Sequence, residues 1–586
     1  MRWALAILLS LGATASRARA QDDLASGPVL RAMHDEIARS MESLAMPGAA
    51  MPYYVAYAVV DFEHMHLVAA YGAITLREQF RQRMLEADVR VGNYDFDSSA
   101  AGSDGANTTY LPIDDDYDAL RREMWLLSDQ AYKHAVEGLE KKRAAQAQSA
   151  DEERRADFTP QTAHSTIVAG TPPPLDLSHW EPAIQRLSRI FGEFPGVQYG
   201  KVELASLIFR RHFASSEGAV ASEPSSLVQL HVVAQGQADD GMPVADFASF
   251  TVPLATDLSD ESTLAEEVRR ICREIEALRV APKLERYTGP ILFEGFASAQ
   301  FARALLMTNL GGTPPPAYGP KIMRMDHEFA DKLGREVMPR GFRVVDDPLQ
   351  THVGKQPLVG HYAIDDEGVP AQRVEAIDNG TLRALLMSRT PRKEIGTNGH
   401  ARGPLGGARG MPSNLFVTAP RGLSSKALRH LLVERAKRSG EKFGLVVRRL
   451  EDASVTGLSD WRGMFMRMGK GGVTVPAPLV AYRVYPDGRE ELVRGVNLPS
   501  VAVKALRDLA AWGNRASVHG FGDTHYQTRA GGMAASPLGA LMSPFPISIV
   551  VPDLVVDEMD VAEAASENDR PPLYERPPST PTAGAH

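Results

Sequence analysis

Between Pro28 and Leu44 the apolar residues Leu30, Met33, Ile37, Met41 and Leu44 recur at steps of three and four, which places them on one face of an amphipathic helix. The period then changes. PYYVAYAVVDF and HLVAAYGAIT read as strands separated by a short polar turn, LREQFRQRML returns to helical spacing, and DVRVGNYDFD alternates like a half-buried strand. This order predicts a small α+β unit, closed by the flexible loop SSAAGSDGANTT. From about Asp116 a long helix carries Leu120, Met124, Leu127, Ala131 and Ala135 on one side. Its continuation, EKKRAAQAQSADEERRADF, is charged on all faces and reads as an exposed helical extension or a mobile arm. EPAIQRLSRIF is a further helix, followed by strands around 201–213, 226–235 and 248–252. In LAEEVRRICREIEAL the stripe Leu264, Val268, Ile271, Ile275 marks a helix that ends near Pro282, where the main domain boundary is placed.

After Pro290 strand-like segments and turns dominate. FRVVDDPL, GHYAIDDEGVPAQRVEAIDNGTLRALLMS, GLVVRRLED, PLVAYRVYPDGREELVRGVN and ISIVVPDLVVDEMDV are separated by PDG, DNG and DDEG, as hairpins require. Helical spacing returns at 323–336, 424–439 and 500–511. The chain therefore reads as α+β: a mixed α/β region over 21–282, a mostly antiparallel β domain over 288–560, and a disordered Pro-rich tail over 561–586. Residues 1–20 have the plan of a secretory signal peptide, with an apolar stretch from Trp3 to Ala15 and Ala18-Arg19-Ala20 before the cut. That implies an exported protein, periplasmic or extracellular, with no membrane span in the mature chain; a short membrane anchor is the alternative.

Composition narrows the field. A net charge of −9 over 586 residues, with no basic stripe, excludes nucleic acid as the main partner. Cys272 is the only cysteine, so there is no internal disulfide and no thiolate-rich zinc site. It adjoins the helical stripe and reads as a small buried hydrophobe.

Four groups of residues could carry chemistry. In TGPILFEGFASAQF an apolar run closes on Glu294 and turns into small, helix-compatible residues. That acid is a helix-terminus carboxylate favoured by the dipole, or a general base that needs a metal or an activated water. Asp326-His327-Glu328 lacks the second histidine, one turn on, of a metalloprotease helix, and reads as an exposed helix start. Asp346-Asp347 and Asp365-Asp366-Glu367 read as turn chemistry, because adjacent strand residues face opposite ways. His400 lies in TNGHARG, while His519 and His525 flank two glycines in what reads as a loop able to hold a metal. No nucleophile elbow, P-loop or dinucleotide fingerprint is present.

Taken in order, MDHEFADKLGREVMPRGFRVVDDPL, GHYAIDDEGVPAQRVEAIDNGTLRALLMSR and TNGHARGPLGGARGMPSNLFV resemble segments of the TldD/PmbA (modulator of DNA gyrase) family of peptidases. PYYVAYAVVDF, DVRVGNYDFD and TTYLPIDDDYDALRREMW are similar to N-terminal segments of exported members. The resemblance implies a TldD/PmbA-type C-terminal domain. Catalytic members carry His-Glu-x-x-x-His at this strand-to-helix junction and a Cys ligand near the C-terminus. Here the motif falls on Phe293-Glu294-Gly295-Phe296-Ala297-Ser298, so Glu294 keeps the place of the base while Phe293 and Ser298 replace both histidines. The resemblance implies a vestigial Glu294, no resident metal and no other cofactor. It also implies a non-catalytic subunit that binds an extended peptide or unfolded polypeptide, as a homodimer or paired with a zinc-bearing TldD-type subunit. Two other readings remain: an active metallopeptidase binding zinc through Glu294 with His400, His519 or His525, and a structural envelope protein.

Overall fold

The computed structural model describes residues 27–99, 107–148, 155–315, 327–456 apart from 394 and 404, 475–523 apart from 499, 500 and 502, and 545–562. The segment read as a signal peptide, most of the tail from 561 and His525 lie outside the described residues.

Helix α1 (Pro28–Ser43) starts with proline at its first turn, where no amide hydrogen is needed, and buries Leu30, Met33 and Ile37. Strand β1 (Pro52–Ala70) runs unbroken through Glu63 and His64, and β2 (Ala73–Val91) returns beside it in antiparallel register. The expected turn inside β1 and the expected helix at LREQFRQRML are therefore both strand. Leu76, Phe80 and Met84 recur every four residues; four is even, so they share one face of a strand as readily as one face of a helix. Backbone pairing decides the matter, because β1 is flanked by β2 on one side and β5 on the other.

The remaining elements of this half are β3 (Asn107–Tyr110), α2 (Tyr117–Gln148), β4 (Ser165–Ile167), α3 (Leu177–Arg189), β5 (Tyr199–Ser215), β6 (Val220–Gln237), β7 (Pro243–Val252) and α4 (Glu261–Val280). One sheet runs β3-β2-β1-β5-β6-β4, with β7 also on β6. Odd-numbered β1 residues face the helices: Val55, Tyr57 and Val59 pack with α1 and α2, and Met65, Leu67 and Ala69 with α3 and α4. Cys272 is fully buried in the second of these cores, as its place beside the stripe predicts. The charged continuation of α2 stays helical to Gln148, and its Lys142 is buried, with Nζ 2.7 Å from Asp157 and donating to the Ser99 carbonyl at 2.9 Å.

The second half begins with β8 (Tyr287–Phe293) and α5 (Phe296–Leu310). It continues through β9 (Arg343–Asp346), β10 (His352–Val353), β11 (Gln356–Pro357), β12 (Val374–Asp378), β13 (Thr381–Leu382), β14 (Ala401–Arg402), β15 (Arg409–Gly410) and β16 (Asn414–Thr418). After α6 (Ser425–Arg438) come β17 (Gly444–Leu450), β18 (Pro478–Val484), β19 (Glu490–Val493), β20 (Leu509–Asp523) and β21 (Phe545–Val561). The sheet order is β13-β12-β9-β16-β21-β8-β17-β18-β19, with β20 on β21; among the described strands of this sheet only β16–β21 and β8–β17 are parallel pairs. Helix α5 is buried under one face through Phe301, Leu305 and Leu306, and α6 covers the other through Leu428 and Leu432.

The helix read at 424–439 is α6. The described part of 323–336, from His327, forms turns, because Phe329 and Val337 enter the core from an irregular chain. At 500–511 a single 3-10 turn (Val503–Leu506) gives way to β20, whose Leu509 and Ala511 pair with Val556 and Val555 of β21. Among the described residues no helix is long and apolar enough to cross a membrane.

Candidate functional site

The junction after β8 is built from backbone first. The Glu294 amide donates to the Val447 carbonyl at 3.0 Å, which continues the β8–β17 pairing by one residue. Gly295 then adopts φ 54° and ψ −118°, a left-handed backbone that glycine tolerates best, and its amide donates to Asp553 Oδ1 at 2.8 Å. Helix α5 starts at the next residue.

The Glu294 side chain, 15% exposed, turns towards two guanidinium groups: Arg429 Nη2 at 2.9 Å and Arg448 Nε at 3.3 Å. Glu490 closes the ring, 3.0 Å from Arg429 and 2.7 Å from Arg448. Arg448 also lies 4.3 Å above the Tyr482 ring. Burial pushes the Glu294 carboxyl up from its ordinary range, and the two arginines work against that shift. Both carboxylate oxygens are engaged, so the acid serves as an ionic link between the junction, α6, β17 and β19. Phe293 is fully buried and stacked on Phe301 at 4.4 Å, and the buried Ser298 hydroxyl donates to the Pro552 carbonyl at 2.7 Å. Neither side chain presents a donor atom beside Glu294. An aromatic ring offers zinc no ligand at all, and the serine oxygen is already committed.

The histidines are spread out. His400 is fully buried; its Nε2 meets Asp346 Oδ1 at 3.1 Å and its Nδ1 meets the Asn398 carbonyl at 3.0 Å, so both ring nitrogens face oxygens. His519 sits on β20 rather than in a loop, because its backbone pairs with Ile549. Its ring packs edge-on against Phe296, 5.3 Å between centroids, and Nε2 meets Ser517 Oγ at 2.9 Å. Burial pushes its pKa down to about 4, with Arg449 adding to the shift. Among the described residues no three His, Cys, Asp or Glu side chains are grouped as a metal site.

The acid pairs divide. Asp347 and Asp365 act as turn residues: Asp347 Oδ1 accepts from Leu349 N at 3.1 Å, and Asp365 Oδ1 accepts from Glu367 N and Val369 N at 3.0 and 2.8 Å. Asp346 departs from the turn reading. It is fully buried in β9 and accepts from both the amide and the hydroxyl of Ser413. His327 and Glu328 lie in turns, not at a helix start, because the chain there makes short-range turn hydrogen bonds such as Ala330 N to His327 O.

The sequence assigned no role to the residues that join the two halves. Arg389, 1% exposed, donates to the Thr159 carbonyl at 2.6 and 2.9 Å, pairs with Glu217 at 2.7 Å and lies 3.8 Å from the Phe158 ring centre. Glu86 accepts from Leu405 N at 3.2 Å, and Glu223 accepts from Ala363 N at 3.1 Å. Glu367 is buried beside this seam, its Oε2 accepting from Arg389 N at 2.6 Å, and burial pushes its pKa up to about 7. Nothing local in the sequence marks these partners, which lie far apart along the chain.

Residues 290–563 match the family model described as the PmbA/TldA metallopeptidase C-terminal domain. No curated protein matches the chain. Among solved structures, it resembles a protein from Thermotoga maritima described as a modulator of a DNA gyrase, at 14% identity and TM-score 0.56, covering 87% of this chain and 96% of that one. It also resembles TldE from Thermococcus kodakarensis, at 12% identity and TM-score 0.55, with 91% and 100% covered. A further Bacteroides thetaiotaomicron protein, described as a modulator of DNA gyrase, aligns at 10% identity and TM-score 0.57, with 91% and 98% covered. At these identities the likeness is one of fold.

Proposed function

Since the chain belongs to the TldD/PmbA family through residues 290–563, we propose that it is an exported, non-catalytic member that binds polypeptide in extended form and works beside a zinc-bearing partner subunit. The observation that carries this reading is the junction after β8. The two positions that the family resemblance gives to zinc-binding histidines hold a core phenylalanine and a serine bonded to backbone, and the place of the base is taken up by an ion-pair ring. Glu294 is engaged as an ionic link to Arg429 and Arg448, and the phenylalanine and serine at the flanking positions offer no ligand for the metal that would supply an activated water beside it. An extended polypeptide would add by backbone hydrogen bonding at a sheet edge, as strand addition requires.

Peptidase assays on the isolated protein, with a mixture of unfolded polypeptides and with or without added zinc, test the reading. The expected result is no hydrolysis above buffer, and no difference between the wild type and Glu294→Gln. Hydrolysis by the wild type that Glu294→Gln abolishes overturns it.

A further inference from the structure

Much of β2 has no described strand on its outer side. β3 pairs only with Met84–Ala87, and the next outward bond is the Arg83 carbonyl accepting from the Leu111 amide at 2.9 Å. The register with β1 is unshifted from Leu76 to Arg90, and bonding direction alternates along a strand. Arg77, Gln79 and Arg81 therefore also turn their N–H and C=O groups away from β1. No described residue bonds these groups. The sheet's opposite side differs: β7 lies against β20, where a Cβ built on Gly520 would come 2.4 Å from the Thr251 carbonyl. The two faces beside the free edge are unlike. On one, Leu76 and Phe80 are half-buried, with the Phe80 ring 4.9 Å from that of His64 and 6.0 Å from that of Phe62. On the other, Arg77, Gln79 and Arg81 are exposed. Arg77 reaches Glu181 of α3 at 3.4 Å, and Arg81 has no ion-pair partner among the described residues.

We propose that the outer edge of β2, from Leu76 to Gln82, takes up an extended polypeptide as an added strand, one with carboxylates at alternate positions and apolar or aromatic side chains between them. The proposal rests on the polypeptide-binding reading above and names a surface and a ligand class for it. The free stretch is as long as an average strand. Strand addition gains backbone hydrogen bonds whatever the ligand's sequence, and alternate side chains select among sequences. Here one set of the ligand's side chains comes to lie beside Arg77 and Arg81, which favour carboxylates. The other set lies beside Leu76 and Phe80, which favour apolar groups. The same arginines disfavour a second copy of this chain. Antiparallel pairing of two β2 edges about Gln79 would set Arg77 of each copy opposite Arg81 of the other, and like charges directly opposite destabilise a strand pair.

Fluorescence anisotropy with the full chain and two short labelled peptides tests the site. One peptide alternates Glu with Val and Tyr, and the other carries Lys in place of each Glu. The acidic peptide is expected to bind at least about tenfold tighter than the lysine peptide, and the double variant Arg77→Glu, Arg81→Glu to reverse that order. Gln79→Pro should weaken the acidic peptide at least about fivefold. The Gln79 amide bonds nothing in β1, so proline there removes no pairing bond, and circular dichroism should be unchanged. Equal binding of both peptides, or binding that survives Gln79→Pro, overturns this site and leaves the polypeptide-binding reading standing. Binding of neither peptide also overturns the site; an unfolded protein in the same assay then decides the wider reading, which survives if that protein binds and falls if it does not. A dimer that Gln79→Pro dissolves, seen by sedimentation, assigns the edge to a second copy and overturns the proposal.

Discussion

A carboxylate at a strand-to-helix turn has two uses, chemistry or adhesion, and its neighbours decide which. Glu294 shares Arg429 and Arg448 with Glu490, and the four charges alternate in a closed ring. Members of such a ring are coupled: removing one leaves its partly buried partners unsatisfied, and removing two together costs less than the sum. Glu294→Gln and Arg429→Met should each destabilise the protein by about 1–3 kcal/mol, with the double variant clearly less than additive, as read from urea midpoints. The sequence revealed this residue because the apolar run before it and the small residues after it are local signals. It did not reveal that Asp346 and His400 share a buried network, since Ser413 and Asn398, which complete it, carry no mark of burial in their own surroundings. The same holds for His64 and His66. His64 read as part of a polar turn and His66 as the first residue of the next strand; once β1 is continuous, they share a face.

Among the elements, the amphipathic helices α1, α3, α4 and α6 were legible because each buries one stripe; α1 opens on a proline, and Asp176, Asp260 and Ser424 accept from amides in the first turns of the last three. β2 was not, because its apolar spacing of four satisfies both periods, and only its neighbour settles which applies. The hairpins read from DNG, DDEG and PDG rest on turn chemistry that is local and was visible. Gly368, in the second of these, has φ +77°, and a Cβ built there would lie 2.1 Å from the Phe213 ring, where the hairpin lands on the N-terminal sheet. Gly368→Ala should therefore cost about 2–5 kcal/mol, from a left-handed backbone together with overpacking. A loss below 1 kcal/mol in denaturant unfolding would show that the hairpin sits away from Phe213.

For the whole molecule, the seam between the halves is polar and buried, and it titrates. Glu367 has a folded pKa of about 7 against an ordinary 4.5, because it is buried. The folded state thus holds its proton more tightly than the unfolded chain does. Its contribution is fully present below about pH 4.5 and is lost as pH rises through 7, by on the order of 3 kcal/mol, a size that already includes the opposing pull of Arg90 and Arg389. Thermal unfolding from pH 5 to 8 should show the wild type losing stability relative to Glu367→Gln, with the gap closing in acid. A constant gap across that range would place the titration elsewhere.

The position of β21 has a consequence for how the molecule comes into being. The last described strand is not at an edge: it lies between β16 and β8 and also carries β20. Phe293, near the start of the second half, finds its partner Leu554 only after nearly all of that half has been made. At a synthesis rate of about 5–20 residues per second, β8 waits on the order of tens of seconds for the strand that completes it. During that interval two apolar strand edges stand open and the buried helix α5 has no finished sheet above it. The nascent C-terminal half therefore cannot join its two groups of strands, β13-β12-β9-β16 and β8-β17-β18-β19, until its final strand closes the centre of the sheet.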